Sequence, residues 1–316
     1  MSPEFSLINK YFNSHSTKAY KGIGDDAALI KKDNNYLWAI STDMLNEKIH
    51  FLPDTNPFNL GWKALAVNIS DIYAMGGTPR FALLAIALPE IKSLWLKKFS
   101  DGLFSCAKKY NVDLIGGDTT KGPLSISICI LGEVLKKNVL LRSNAKKNDD
   151  IWVTGELGLA ALGLANLQKK IKLPQALTKK SIRALEKPIL NDSIVISMAK
   201  LSHSAIDISD GFLADLGHIL DASKVGADIL LNDVPINPWI KKNKLFDMAL
   251  TGGDDYQLLF TSPKKNRSKI CLINKKSPIK LTRVGEINDR RYLKVINDNG
   301  TVYKVKKNGF DHFETK

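Results

Sequence analysis

The chain alternates between strand-like and helix-like segments, and this alternation limits its fold more than any other feature. Residues 36–45 (YLWAISTDML) and 81–88 (FALLAIAL) are strand-like, and residues 93–110 have the apolar spacing of an amphipathic helix. A further helix is predicted from Pro57, with Asn56 as its cap, to the glycine pair at 76–77. Strands are expected at 112–117 and 124–134, joined by a DTTKGP turn. The pattern predicts a mixed α/β fold.

The alternation restarts after a lysine- and asparagine-rich segment near residues 144–150, which we interpret as a connection between domains. A strand at 151–155, helical segments and a short strand at 204–209 precede a helix that starts near Asp210. Later segments, including TGGDDYQLLF at 251–260, are mostly strand-like. We therefore predict an N-terminal domain over residues 1–145 and a C-terminal α+β domain over residues 146–316.

Composition excludes several classes of protein. The chain has 316 residues, of which 44% are hydrophobic and 25% charged, as in ordinary globular proteins with a large core. The net charge of +14 comes largely from lysine- and asparagine-rich stretches without any nucleic-acid-binding motif, so no nucleic-acid partner is predicted. The longest apolar run, residues 81–89, is too short for a bilayer, and no secretory signal or disulfide framework is evident. These features predict a cytoplasmic protein without a membrane partner.

Aspartates recur where predicted strands end and glycine turns begin. GIGDDAAL contains Asp25 and Asp26, LIGGDTTKGP contains Asp118, and TGGDDYQ contains Asp254 and Asp255. The remaining positions are Asp43, Asp71, Asp207 and Asp210. Each alone is an ordinary turn residue or helix cap. If several converge, their mutual repulsion requires cations between them, and carboxylate and hydroxyl oxygens suit magnesium or manganese.

A magnesium-nucleotide enzyme follows as a hypothesis, because substrate phosphates commonly complete the coordination of magnesium. The chain has neither the P-loop motif GxxxxGK[ST] nor the motif set of the protein kinases. A phosphate would therefore be held by metal ions, by backbone amides of the glycine turns, and by a cation such as Lys121 or Arg142. The residues alone lead no further than this.

Eight motifs occur along the chain in a fixed order: EFSLINKYF, GIGDDAAL, AISTDML, HFLPD, KALAVNISDIYAMG, LIGGDTTKGP, AIDISDG and GFDHF. This order resembles that of the thiamine-monophosphate kinases, from Glu4 to about Phe313. They share a superfamily with aminoimidazole ribonucleotide synthetase. The resemblance implies a two-domain fold whose N-terminal sheet forms a barrel-like homodimer interface. It also implies direct in-line transfer of the γ-phosphoryl group of ATP to thiamine monophosphate, assisted by several Mg²⁺ ions.

The resemblance implies roles for individual residues as well. The magnesium positions are Asp26, Ser41, Thr42, Asp43, Asp71, Asp118, Asp207 and Asp210. The ATP contacts are Gly117 (through its backbone), Asp118, Arg142 and Ser209. The substrate contacts are His50, Asp254 and Phe310. No residue is assigned as a general base, because the acceptor phosphate is already ionised near neutral pH and the main task is charge neutralisation and alignment.

Two substrate positions depart from the pattern of the relatives. Asp254 occupies a position where many relatives have glutamate, and Phe310 one where an aromatic residue with a hydroxyl or indole is frequent. The alternatives are another ATP-dependent enzyme of the superfamily and a non-catalytic nucleotide-binding relative. Selenophosphate synthetase would require a reactive cysteine near the N-terminus, and none precedes Cys106. HFLPD and GFDHF do not fit aminoimidazole ribonucleotide synthetase.

Overall fold

Two β-sheets with helices packed against them form the protein, seen here in a computed structural model that describes residues 3–13, 18–305 and 309. The strands are β1 (Ala28–Lys31), β2 (Tyr36–Asn46), β3 (Thr78–Leu88), β4 (Asp113–Lys121), β5 (Ser125–Leu135), β6 (Asp149–Thr154), β7 (Ser204–Asp207), β8 (Gly226–Leu230), β9 (Leu258–Pro263), β10 (Leu281–Asn288) and β11 (Leu293–Ile296). The helices are α1 (Pro3–Tyr11), α2 (Pro57–Ala74), α3 (Ser93–Tyr110), α4 (Leu159–Leu167), α5 (Gln175–Glu186), α6 (Asp192–Ala199), α7 (Phe212–Ser223), α8 (Pro238–Lys242), α9 (Asp247–Leu250) and α10 (Arg267–Lys276). The predicted mixed α/β class is confirmed.

The first sheet has the strand order β1-β2-β5-β3-β4. Its pairs are antiparallel except for β3 and β4, which are parallel. Along β5, side chains alternate between buried positions such as Ile128 and half-buried ones, because one face of the sheet packs against α2. The opposite face carries Met44 and Leu83, which are 54% and 37% exposed. We call this opposite face the outer face of the first sheet.

The second sheet has the strand order β11-β8-β10-β6-β9-β7, and only β11 and β8 pair in parallel. Its core contains Phe212 and Ile219 of α7 packed with Leu259 of β9. Helix α2 is buried along nearly its whole length and contacts β2, β5 and β7, so it lies between the two sheets. The sequence of α2 is accordingly mostly apolar, as expected for a central helix, with Lys63, Asn68 and Asp71 among its few polar residues.

The predicted start of α2 is confirmed. Pro57 is its first residue, and the Asn56 side chain accepts a hydrogen bond from the backbone N–H of Phe58 at 2.9 Å. Beyond the helix, the backbone at Gly76 takes a φ of +75°, as is usual for glycine in a C-terminal stop. The structure has no helix, within the residues it describes, that is long and apolar enough to cross a membrane.

Two predicted segments differ in the structure. The predicted DTTKGP turn is wrong over residues 118–121, because β4 continues to Lys121 through parallel pairing with β3. Of the predicted strand TGGDDYQLLF, only the part from Leu258 is strand β9, and residues 251–257 form a loop. The reason is the backbone of this loop, in which Asp254 and Tyr256 have φ values of +67° and +47°, outside the β region.

The crossing of α2 and α3 depends on two glycines. A Cβ added at Gly61 would lie 2.0 Å from the carbonyl oxygen of Phe99, and one added at Gly102 would lie 1.8 Å from that of Phe58. Each helix therefore approaches the backbone of the other at a distance that only glycine allows.

We expect Gly102→Ala to lower the free energy of unfolding by about 1–3 kcal/mol, because the helices must separate to admit the new methyl group. Gly217→Ala in α7 is the matched control, since nothing lies within 4 Å of its added Cβ. Helix propensity makes that control neutral or stabilising by up to about 1 kcal/mol. Denaturant unfolding measures both, and equal effects of the two substitutions would contradict this account of the crossing.

Candidate active site

Four carboxylates from separate segments meet between the two sheets. Asp26 precedes β1, Asp43 lies on β2, Asp71 is on the last turn of α2, and Asp207 ends β7. Carboxylate oxygens of Asp26, Asp71 and Asp207 all lie within 4.8 Å of one another. Asp43 is close enough to raise the pKa of both Asp71 and Asp207. We call these four residues the central carboxylates.

Helix α2 and strand β2 fix two of these carboxylates relative to each other. The Ser41 hydroxyl donates to Asp71 Oδ2 at 2.6 Å. The Asn68 side chain accepts from the backbone N–H of Asp43 at 3.0 Å and donates to the Ala64 carbonyl within its own helix. Since Asn68 and Asp71 are one turn apart, a single face of α2 supports both contacts.

Among the described residues, Arg142 is the cation that forms an ion pair with a central carboxylate. Its Nη2 lies 2.8 Å from Asp26 Oδ1, and the side chains of both residues are mostly buried. Its backbone N–H donates to Asp25 Oδ1 at 2.7 Å, and Asp25 in turn pairs with Lys21 at 3.2 Å. Asp25 therefore shapes the turn that brings Arg142 to Asp26, while Asp26 faces the central carboxylates.

The electrostatics of the group favour a bound cation. Burial, together with the charge of Asp26, raises the pKa of Asp43 to about 6. Burial and the neighbouring carboxylates raise the pKa of Asp71 and Asp207 well above the usual range. Asp207 Oδ2 is buried without a hydrogen-bond partner among the described residues. A buried oxygen that lacks a donor and lies among other carboxylates is a suitable ligand for a hard metal ion.

A second group lies at the start of α7. Oxygen and nitrogen atoms of Asp210, Asp215 and His218 lie within 4.8 Å of one another. Asp215 accepts from the backbone N–H groups of Asp210 and Gly211 at 3.2 and 3.0 Å, and burial raises its pKa well above the usual range. Burial and the charge of Arg142 lower the pKa of His218 to about 4. His218 is therefore neutral near pH 7, and Arg142 influences both groups.

The buried Lys63 contacts two predicted substrate residues, at the backbone carbonyl of His50 and the carboxylate of Asp254. His50 Nδ1 accepts from the backbone N–H of Asn46 at 2.9 Å, so in this arrangement the ring proton is on Nε2. Asp254 pairs with the buried Lys63 at 3.0 Å. The backbone of Asp254 also donates to the Ser209 carbonyl at 2.8 Å, which joins residues 251–257 to the segment after β7. The predicted contact Phe310 lies outside the described residues.

A glycine allows this junction. A Cβ at Gly253 would lie 2.3 Å from the Ser209 carbonyl oxygen, so a side chain there would push the two segments apart. Ser209, a predicted ATP contact, is two residues from Asp207 and one from Asp210. The predicted ATP, metal and substrate residues of the second sheet thus lie side by side.

Asp118, Gly117 and Thr42 are not brought to the central carboxylates. β4 is separated from β2 by β5 and β3, and three strand spacings of about 4.8 Å place Asp118 roughly 14 Å from β2. A Cβ at Gly117 would meet the Leu84 carbonyl oxygen at 1.8 Å, which explains the glycine. Strand alternation puts the Thr42 side chain on the outer face, opposite to Ser41, so the Thr42 hydroxyl points away from the central carboxylates.

Sequence reasoning missed three residues that the structure places at this site. Lys63 lies in the apolar segment WKALAV, where a lysine without a visible partner was the available signal. Asp215 and His218 share a helix face through their i, i+3 spacing, but only the fold brings them to Asp210.

Comparison with known proteins identifies the family of the chain. Family models described as AIR synthase related protein, N-terminal domain, and AIR synthase related protein, C-terminal domain, match residues 24–134 and 146–298. A thiamine-monophosphate kinase of Buchnera aphidicola subsp. Schizaphis graminum is 46% identical over 323 residues, which cover 98% of each chain.

Solved structures give the same result. A thiamine-monophosphate kinase from Stenotrophomonas maltophilia K279a is 36% identical, with a TM-score of 0.80 over 95% of this chain and 96% of that one. AaThiL complexed with AMPPCP and TMP is 30% identical, with a TM-score of 0.84 over 98% of this chain and 96% of that one. The family resemblance inferred from the motifs is confirmed.

We predict that Mg²⁺ raises the melting temperature more at pH 8 than at pH 5. The folded state holds the Asp43 proton with a pKa of about 6, against an ordinary value of 3.8, so this group lowers the stability of the metal-free protein as the pH rises between those values. At pH 5 the ion must displace this proton, whereas at pH 8 the carboxylate is already ionised. At pH 8, a free Mg²⁺ concentration of 100 times its dissociation constant should raise the free energy of unfolding by about 2.7 kcal/mol.

Thermal unfolding with Mg²⁺ or chelator measures this shift. Asp207→Asn should reduce it, whereas Asp101→Asn, in an exposed pair with Lys97, should leave it unchanged. Equal Mg²⁺ shifts in the wild type at the two pH values would contradict the assignment of the central carboxylates as ligands.

Proposed function

The chain belongs to the thiamine-monophosphate kinase family, and we propose that it transfers the γ-phosphoryl group of ATP to thiamine monophosphate, giving ADP and thiamine diphosphate. The observation that carries the proposal is the convergence of Asp26, Asp43, Asp71 and Asp207 with Arg142 as the cation in contact. Both reactants of this transfer are anionic phosphates, and such a set of carboxylates can receive them only together with metal ions. AaThiL, which binds AMPPCP and TMP, has the same fold.

We propose Mg²⁺ as the ion, held by the central carboxylates with Ser41 and, near α7, by Asp210. The fit rests on hard oxygen donors and on the partnerless buried oxygen of Asp207. When bound, Mg²⁺ neutralises phosphate charge and aligns the phosphates for in-line displacement. Thr42 stays a predicted magnesium contact, although its side chain lies on the outer face of the first sheet. At the exposed edge of the first sheet, Asp118 keeps its predicted roles as a magnesium ligand and ATP contact, and Gly117 its predicted role as an ATP contact.

Arg142 and Ser209 are the proposed ATP contacts nearest to the carboxylates. The guanidinium of Arg142 contacts Asp26 at 2.8 Å, so a phosphate entering there meets a planar cation of the kind that binds phosphate oxygens through two hydrogen bonds. No side chain is needed as a general base, because the acceptor phosphate is already ionised. His218, with its pKa of about 4, is neutral in this range and can only accept or donate a hydrogen bond.

The test of this function is a direct assay with ATP, Mg²⁺ and thiamine monophosphate, in which chromatography separates the thiamine species. We expect thiamine diphosphate to form and chelator to abolish its formation. Asp26→Asn should lower kcat by about 10²–10³-fold or more, by analogy with the loss of one electrostatic contact in other enzymes. Asp101→Asn, far from the site on α3, is the control and should retain activity.

Hydrolysis of ATP without thiamine diphosphate, or no consumption of ATP at all, would refute the proposed substrate. Near-native turnover by Asp26→Asn would instead refute the role of this residue as a metal ligand while leaving the reaction intact.

We further propose a cytoplasmic homodimer that pairs the outer faces of two first sheets into a barrel-like interface. Trp38, Met44, Phe81 and Leu83 give this face an apolar surface, which is typical of protein–protein interfaces. Leu83→Arg should convert the dimer to a monomer in light scattering, because a cation cannot be buried there without a partner. Ile91→Arg, at an exposed site outside the sheet, is the control; a wild-type monomer would refute the interface.

A further inference from the structure

We propose that Lys63 is a positioning residue for substrate binding, which holds Asp254 and the His50 segment in the geometry that receives thiamine monophosphate. This inference rests on the proposed function and on the predicted roles of Asp254 and His50 as substrate contacts. Lys63 belongs to the second turn of α2 and is only 2% exposed. Lysine is rarely buried to this extent unless its charge is paired, so the pairing partner defines its role.

The Lys63 ammonium joins two segments that are otherwise separate. Its Nζ lies 3.0 Å from Asp254 Oδ2 and donates to the His50 carbonyl at 3.4 Å. The Tyr256 hydroxyl donates to the other carboxylate oxygen, Asp254 Oδ1, at 3.0 Å. Both oxygens of Asp254 are thus held, one from α2 and one from its own loop. Each retains a further lone pair, and the Asp254 side chain is 31% exposed, so it can still accept from a ligand.

The loop needs this restraint because its backbone is in an unfavourable conformation. Asp254 and Tyr256 both have positive φ values, which non-glycine residues adopt at a cost and keep only when their surroundings fix them. Their backbone N–H groups donate to the carbonyls of Ser209 and Ile208 at 2.8 Å. The loop is therefore fastened on one side to the segment after Asp207 and on the other to Lys63.

Helix α2 connects this restraint to the central carboxylates. Lys63 and Asp71 lie eight residues apart on the same buried helix, which corresponds to about 12 Å along its axis. Burial, together with the charges of Asp254, Asp43 and Asp207, keeps the pKa of the Tyr256 hydroxyl well above the usual range, so it remains a hydrogen-bond donor to Asp254. Helix α2 carries Asp71 and, through Lys63, holds Asp254. It therefore sets the distance between the carboxylate that faces the substrate and those that face the phosphates.

The test compares Lys63→Met with the wild type in steady-state kinetics. Methionine keeps much of the length and apolar character of lysine but removes the ammonium. We expect KM for thiamine monophosphate to rise about tenfold or more while KM for ATP changes less than about twofold, because only substrate binding loses its positioning. Calorimetric titration with thiamine monophosphate should show the same loss of affinity without turnover. Lys97→Met, at an exposed lysine on α3, is the matched control and should leave both constants unchanged.

Measuring Lys63→Met in a protein that also carries Asp254→Asn distinguishes a positioning role of Lys63 from a merely structural one. Lys63→Met/Asp254→Asn removes both charges and leaves neither buried alone, so it is the variant to use if the single substitution does not fold. Under the proposal, adding Lys63→Met to Asp254→Asn changes KM for thiamine monophosphate by less than about twofold, because the group that it positions is already altered. An undiminished effect in that background, or parallel rises in both KM values, would overturn the proposal. A wild type that forms no thiamine diphosphate would instead refute the proposed function itself.

Discussion

The mutual repulsion of four buried or half-buried carboxylates is the constraint on which the rest of this structure depends. Asp26, Asp43, Asp71 and Asp207 come from four segments of the chain, and Asp26 and Asp207 are buried while Asp43 and Asp71 are half-buried. Each buried charge costs several kcal/mol after relaxation, which is large against a total folding stability of about 5–15 kcal/mol. The ion pair with Arg142 offsets part of this cost at Asp26, and the raised pKa values of Asp43, Asp71 and Asp207 are those expected of carboxylates that lack a paired cation.

Helix α2 makes this arrangement possible because it is buried between two sheets and cannot shift independently of them. It carries Asp71 itself, Asn68, which holds the backbone of Asp43, and Lys63, which holds Asp254. Its close crossing with α3 through Gly61 and Gly102 fixes its position from the other side. A single rigid element therefore relates the phosphate end of the site to the substrate end, which is the precision that alignment of two phosphates requires.

The sequence predicted the parts of this site that depend on local patterns. The helix from Pro57 and the strand carrying Asp43 follow from capping and alternation, and a carboxylate at the end of a strand is visible in GIGDDAAL or AIDISDG without any structure. It could not predict strand order, so it did not reveal that two strands separate Asp118 from β2. It also gave residues 251–257 as a strand, because the left-handed backbone at Asp254 is imposed by contacts with Ser209 and Lys63, which are distant in the chain.

Electron paramagnetic resonance of Mn²⁺ tests the central claim most directly, since Mn²⁺ shares the oxygen preference of Mg²⁺ and its free signal falls when it binds. With a non-hydrolysable ATP analogue present, the account predicts that the wild type removes the free Mn²⁺ signal and that Asp207→Asn restores much of it, while Asp101→Asn does not. Unchanged binding of Mn²⁺ by Asp207→Asn, or no binding by the wild type, would show that the central carboxylates are not a metal site.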